Sequence, residues 1–144
     1  MTKVSALTGL NVLDVTQVMA GPYCAMVLAD LGADVVKIEP PAGDSTRQMP
    51  GATGTDSPSF NAVNRGKRSV VLNLKSADGR AVFERLARST DILIENYRPG
   101  VMDALGLGYD ALAPLNQRLI YSSLTDFGQT GPWRDWLGEE KMRR

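Results

Sequence analysis

The sequence predicts an α/β fold with a doubly wound, mainly parallel sheet, and three observations predict it. Short apolar runs alternate with stretches of helical periodicity from the amino terminus to about residue 125. The run Asn11 to Asp44 reads as strand, glycine turn, helix, strand and polar loop, the pattern of a parallel βαβ unit. A chain of 144 residues with 43% hydrophobic content is long enough to enclose one real core.

The elements follow in order. Asn11 to Val15 forms the first apolar strand. Gly21-Pro22 supplies a flexible turn and then a residue whose fixed φ suits a helix start, so a helix opens there. Tyr23, Met26, Val27 and Leu31 recur at three- and four-residue spacing, and Gly32 is its stop. Val35, Val36 and Ile38 make the second strand, ending in Glu39-Pro40. From Asp44 to about Asn64 a stretch rich in Gly, Pro, Ser and Thr reads as a long loop, of the kind that is functional or covered by a partner. Ser69 to Leu74 is a third strand. Ala77 to Arg88 is an amphipathic helix with Val82, Phe83, Leu86 and Ala87 on its buried face. Asp91 to Glu95 is the fourth strand, with Asn96-Tyr97-Arg98-Pro99-Gly100 as the loop at its end. Short helical stretches follow at Val101 to Leu105 and around Tyr109 to Leu115. Leu119 to Leu124 is the fifth strand, and Phe127 to Pro132 a glycine-proline turn.

In parallel sheets ligands gather at the carboxyl ends of the strands. Thr16 to Gly21 lies at one such end, where its backbone N–H groups and the following helix N-terminus could face an anion. After Trp136 five of the last six residues are charged and no apolar periodicity continues. The sheet is therefore expected to be incomplete at the carboxyl end, with a domain over 1–135 and a divergent polar tail over 136–144. A frayed terminus and a truncated or frameshifted reading frame both account for that tail.

Composition excludes several functions. Sixteen basic residues balance sixteen acidic ones, so no global field recruits nucleic acid or a membrane surface. One cysteine cannot form an internal disulfide, and no signal pattern or long apolar span is present, so a cytoplasmic location is expected. Histidine is absent, which removes the commonest general base and the usual zinc ligand, and no metal is expected. Chemistry is left to carboxylates, lysine, tyrosine or a bound cofactor. The first turn carries no G-x-G-x-x-G, which argues against a nicotinamide dehydrogenase.

Five collinear blocks carry a family resemblance: Leu7 to Asp14, Ala20 to Asp44, Asn64 to Lys75, Asp91 to Leu112 and Leu119 to Asp135. Together they resemble the class III coenzyme A transferases of the CaiB/BaiF type, which include formyl-CoA and carnitine CoA transferases and the related α-methylacyl-CoA racemases. The resemblance implies a Rossmann-like amino-terminal part that holds coenzyme A, and a dimer of interlocked ring-like chains. It implies CoA contacts from Val18, Met19 and Ala20 after the first strand, from Leu72 and Lys75 after the third, and from Asn96, Tyr97 and Arg98 after the fourth. Pro40 and Ala104 stand where some relatives carry nucleotide-touching arginines.

The family's transferases use an aspartate as nucleophile, which attacks the acyl-CoA thioester to form a mixed anhydride and then an aspartyl-CoA thioester. By the resemblance that aspartate belongs to a Gly-Asp segment downstream of the Gly-Gln-Thr-Gly-Pro turn, and these 144 residues do not include it. No catalytic residue is assigned here, and this chain by itself is expected to be inactive. Proton transfer of the racemase type needs a histidine and is excluded for these residues. The expected function is thus the CoA-binding part of an enzyme that moves CoA from an acyl-CoA to a carboxylic acid. The alternative is a non-catalytic CoA or nucleotide module, or a subunit completed by a separate chain; a gene remnant that folds poorly is a further rival.

Several residues carry two readings at this point. Arg65, Lys67 and Arg68 form a solvated turn or contact phosphate; Asp44 to Arg47 is a helix cap and its first turn, or part of the site. Tyr97 and Arg98 stack on and pair with a nucleotide, or pack the loop. Cys24 has no activating partner and belongs on the inner face of its helix. Trp133 and Trp136 are core or interface anchors, exposed where their partners are missing.

Overall fold

The computed structural model describes residues 5–54 and 56–136. Most of the predicted 136–144 tail therefore lies outside the described residues. Among the described residues a five-stranded sheet runs in the order β3-β2-β1-β4-β5, made of β1 (Asn11–Asp14), β2 (Asp34–Glu39), β3 (Lys67–Val71), β4 (Ile92–Glu95) and β5 (Ile120–Ser123). Every neighbouring pair is parallel, in registers such as Leu13↔Val36, Leu13↔Leu93, Ile38↔Val70 and Leu93↔Tyr121. The sheet is the doubly wound α/β fold that the alternation predicts. β1 lies at its centre, and the chain winds outward first to β2 and β3, then returns past β1 to β4 and β5. The switch of direction falls between β1 and β4.

Both faces of the central strands are buried, as parallel crossovers require. Leu13, Val15, Ile38 and Leu93 face a core shared with Phe83 and Ala87 of α3 (Ala77–Ala87), Met102 of α4 (Val101–Ala104) and Leu112 of α5 (Tyr109–Leu112). Val12, Val35 and Ile94 point the other way, onto Ala25 of α1 (Ala20–Asp30). Cys24 packs against this second cluster, the inner position expected of it.

Three expectations are corrected. In α1 the buried residues are Gly21, Pro22, Ala25 and Met26, while Tyr23 and Leu31 are exposed. Small residues let the helix lie close to the sheet, so the larger apolar side chains do not mark its inner face. The stretch 44–64 is not a continuous loop: it holds a short 3₁₀ helix (Ser45–Gln48) and α2 (Pro58–Asn64). Ser57 caps α2 by accepting from the Phe60 N–H at 3.0 Å, with Pro58 at the first helical position. Asp44 caps the 3₁₀ helix by accepting from the Thr46 N–H, which selects the capping reading of Asp44 to Arg47. Finally, β3 runs Lys67–Val71, not Ser69 to Leu74: it begins two residues earlier and ends three earlier, because pairing with β2 extends from Val35↔Lys67 to Glu39↔Val71.

Candidate functional site

The loops after β1 and β4 diverge at the switch of direction and open a cleft of ≈ 940 Å³, whose lining includes Gln17 to Ala20, Asn96 to Pro99, Ser123 to Gln129, Arg134 and Trp136. Each wall has a local cause. Asn96 closes two hydrogen bonds across the cleft floor, its side-chain oxygen accepting from the Gln17 N–H at 2.9 Å and its amide donating to the Gln17 carbonyl at 2.8 Å. Its side chain is therefore committed to holding the first turn. Val18 adopts φ 73°, a left-handed conformation that a β-branched residue rarely takes, and such strain costs of order 1–3 kcal/mol. The turn then enters α1 at Met19, where no side chain caps the helix. The donors of that first turn are left for a ligand or solvent.

Buried charges grip the same turn from beneath. Lys37, 1% exposed, donates to the Thr16 carbonyl at 2.7 Å and lies 2.9 Å from Asp44 Oδ2. Asp14 accepts from the Thr16 N–H at 2.9 Å and pairs at 2.7 Å with Lys67, which also donates to the Pro22 carbonyl at 2.9 Å. Burial pushes the Lys67 ammonium below its usual range, against the opposing pull of Asp14. Glu39 binds Arg47 and Ser69 and accepts from the Asp44 N–H. Arg47 reaches on to Asp56 and lies over the Phe60 ring at 3.7 Å. The segment after β2 is thereby fastened to the carboxyl ends of β1 and β2.

Of the residues named from the sequence, the cleft brings together Val18, Met19, Ala20, Asn96, Tyr97 and Arg98. Leu72 and Lys75 are not in its lining; they follow β3, at the sheet edge, where Leu72 packs against the main core together with Tyr97. Arg98 is exposed and has no ion-pair partner among the described residues, whereas Arg65 pairs with Asp30 and Arg68 with Asp34. The Lys67 side chain is buried on Asp14, so the 65–68 cluster does not act as one unit, whereas Arg65 and Arg68 stay exposed and pair with exposed carboxylates. Burial pushes the Tyr97 hydroxyl above its usual range, against a hydrogen bond with Gln17.

The sequence reading placed Gln17 within the Thr16 to Gly21 turn without its bonds to Asn96, and it missed the segment Ser123 to Gln129 and Arg134 as cleft lining. β5 sits beside β4, so the turn after β5 must flank the cleft, but strand order is not written in local pattern. It also missed the buried charges, although a lysine inside the apolar run Val35 to Ile38 is a readable signal. A smaller cleft of ≈ 440 Å³ adjoins the first and includes Glu95, Arg98, Asp103, Tyr109 and Tyr121 in its lining. Burial pushes the Glu95 carboxyl up, opposed by bonds from Ser123 and from the Tyr97 N–H at 2.8 Å. Among the described residues no group of three or more Asp, Glu or Cys side chains could hold a metal, and no helix is long and apolar enough to cross a membrane.

Comparison with known proteins follows the same lines. An acetyl-CoA:oxalate CoA-transferase of Acetobacter aceti is 54% identical over 125 residues, covering 86% of this chain and 32% of that protein. The beta subunit of a succinyl-CoA–L-malate CoA-transferase from Chloroflexus aurantiacus is 45% identical over 135 residues, covering 92% of this chain and 33% of the subunit. The crystal structure of a CaiB/BaiF family protein from Brucella suis superposes with a TM-score of 0.92 at 40% identity, covering 94% of this chain and 37% of that one. The chain thus spans about a third of the length of the curated relatives it matches. The sequence profile described as CoA-transferase family III matches residues 7–142, and with the shared fold this shows that the chain belongs to CoA-transferase family III.

Proposed function

We propose that these residues form the CoA-holding part of an enzyme that transfers CoA from an acyl-CoA to a carboxylic acid. The observation that carries the reading is the cleft at the switch point, where an uncapped helix start, a strained and doubly anchored turn and Arg98, without an ion pair among the described residues, converge. These features suit the ligand: a CoA site needs backbone donors and cations for phosphate, and apolar surface for the base. Val18, Met19, Ala20, Tyr97 and Arg98 would hold the coenzyme directly, and Asn96 would act by holding the Gln17 backbone. Leu72 and Lys75 would reach a nucleotide that extends toward β3. Acyl-CoA supplies the activated thioester, while the residues described here bind and orient it.

In this reading the residues described here bind and orient the acyl-CoA, and the family resemblance assigns the nucleophile to an aspartate of a Gly-Asp segment that is not among them. A second reading makes the chain one subunit of a complex, and the relative named as a beta subunit favours it. Either a homodimer or a complementing chain would then complete the site. Thermal denaturation tests the binding claim: CoA at about 100 times its Kd stabilises the folded state by about 2.7 kcal/mol and raises the Tm. Arg98→Ala should weaken binding by roughly tenfold or more, as loss of a charge-assisted bond does. An unchanged Tm at millimolar CoA rejects the proposal.

A further inference from the structure

Arg134 lines the cleft, and the family resemblance, although one of its blocks contains this residue, implies no CoA contact from it. It lies in the turn after Gly131, where its N–H donates to the Gly131 carbonyl at 3.3 Å and the Trp136 N–H to the Trp133 carbonyl at 2.9 Å. Trp133 and Trp136 stack with ring centroids 5.7 Å apart, and Phe127 meets Trp136 edge-on at 5.9 Å. This aromatic cluster gives the turn a definite position. The Arg134 guanidinium then lies against Gly100, with Nη2 3.7 Å from where a Cβ would stand on that residue. Gly100 has φ 85°, a conformation that favours glycine, and with no side chain it leaves the guanidinium room beside the loop that carries Arg98.

Arg98 and Arg134 thus line one cleft, and among the described residues neither pairs with a buried carboxylate. The ion-pair partner of Arg134 is Asp135 at 4.0 Å, itself 83% exposed, and such a pair contributes little. Asp126 is the carboxylate in the lining of the same cleft. Across the Arg98 loop, Glu95 faces the smaller cleft, where burial disfavours its charge. Like charges that line one cleft repel unless an anion lies between them, and arginines suit oxygen anions because each presents a planar fork of donors.

We propose that Arg98 and Arg134 form a two-arginine site for a multiply charged oxyanion, with the phosphate groups of the coenzyme as its preferred occupant and a dicarboxylate acceptor as the other source of the same chemistry. The preference for phosphate rests on the CoA reading above. Arg134 is then a specificity residue for the charged end of the ligand and not for its pantetheine arm.

Titration calorimetry on the 144-residue chain separates the possibilities, using CoA, pantetheine, pyrophosphate and succinate as probes. Arg134→Ala and Arg134→Gln should each weaken CoA binding about tenfold, flatten its salt dependence and leave pantetheine binding unchanged. Arg118→Ala, at a distant exposed arginine, should change none of these. A loss of succinate binding instead of CoA binding supports the site with the acid as its occupant. If Arg98→Ala weakens CoA binding while both Arg134 variants bind CoA and succinate within twofold of the parent, the Arg134 site is overturned and the CoA reading stands. If the parent chain ignores CoA but binds pyrophosphate or succinate through Arg134, the CoA reading fails and the site stands. Failure of the parent to bind any of the four overturns both.

Discussion

Gly21 and Asn96 carry the geometry of the first turn more directly than the residues that would touch a ligand. A Cβ on Gly21 would stand 2.4 Å from the Thr16 Cβ, and Thr16 is fully buried and tied to Asp14. Neither atom can retreat without moving the turn. Gly21→Ala should therefore destabilise the protein by about 1–3 kcal/mol, the usual cost of overpacking, measured by urea unfolding. Asn96 acts through hydrogen bonds instead of space. Its replacement by Ala frees the Gln17 N–H and carbonyl, which should cost about 2 kcal/mol of stability. CoA affinity should fall with it, because Val18 loses the anchor that sustains φ 73°. Equal CoA affinity in Asn96→Ala and parent would show that this anchor does not shape the site. At this scale the sequence was informative about identity and silent about role: Asn96 was legible as a site residue, but its bonds to Gln17 join positions 79 residues apart.

At the scale of elements, pH reports on how the segment after β2 is fastened. Burial alone would raise the Glu39 carboxyl, but bonds from Arg47, Ser69 and the Asp44 N–H outweigh it and bring the group from 4.5 to about 2. Asp44 is also lowered: burial again opposes, and Lys37 and Thr46 prevail. A carboxylate whose folded pKa is depressed stabilises the protein above its unfolded pKa and loses that contribution as pH falls toward the folded value. Stability should therefore decline between pH 4.5 and 2, with up to about 3 kcal/mol assigned to Glu39. Glu95 has the opposite sign, since its raised pKa costs stability as pH climbs above the ordinary carboxylate range. Glu39→Gln should flatten the acid slope in urea-derived stability between pH 5 and pH 3; an unchanged slope would place the acid sensitivity elsewhere. These elements also mark where local pattern stops. β1, β2, α3, β4 and β5 were legible because strand and helix periods survive in the sequence. α2 was not, because its seven residues bury only Phe60, Val63 and Asn64, and Gly54 before it and Pro58 at its first position read as loop. In α1 the apolar spacing marks the buried face only at Met26, for a related reason: close packing selected Gly21 and Ala25 over Tyr23 and Leu31.

For the whole molecule, the winding from β1 to β3 and then from β4 to β5 decides where a ligand can sit. The parallel fold was legible from alternation, but the order β3-β2-β1-β4-β5 requires knowing which strands pair. Only that order sets the turns after β1, β4 and β5 around one cleft, with Leu72 and Lys75 off at the β3 edge. The central claim is that CoA occupies this cleft, and amide chemical shifts of the ¹⁵N-labelled chain test it most directly. On addition of CoA, the largest perturbations should fall on Val18, Met19, Ala20, Tyr97 and Arg98, with smaller ones at Leu72 and Lys75. Saturable shifts confined to other surfaces, or none at millimolar CoA, would contradict it.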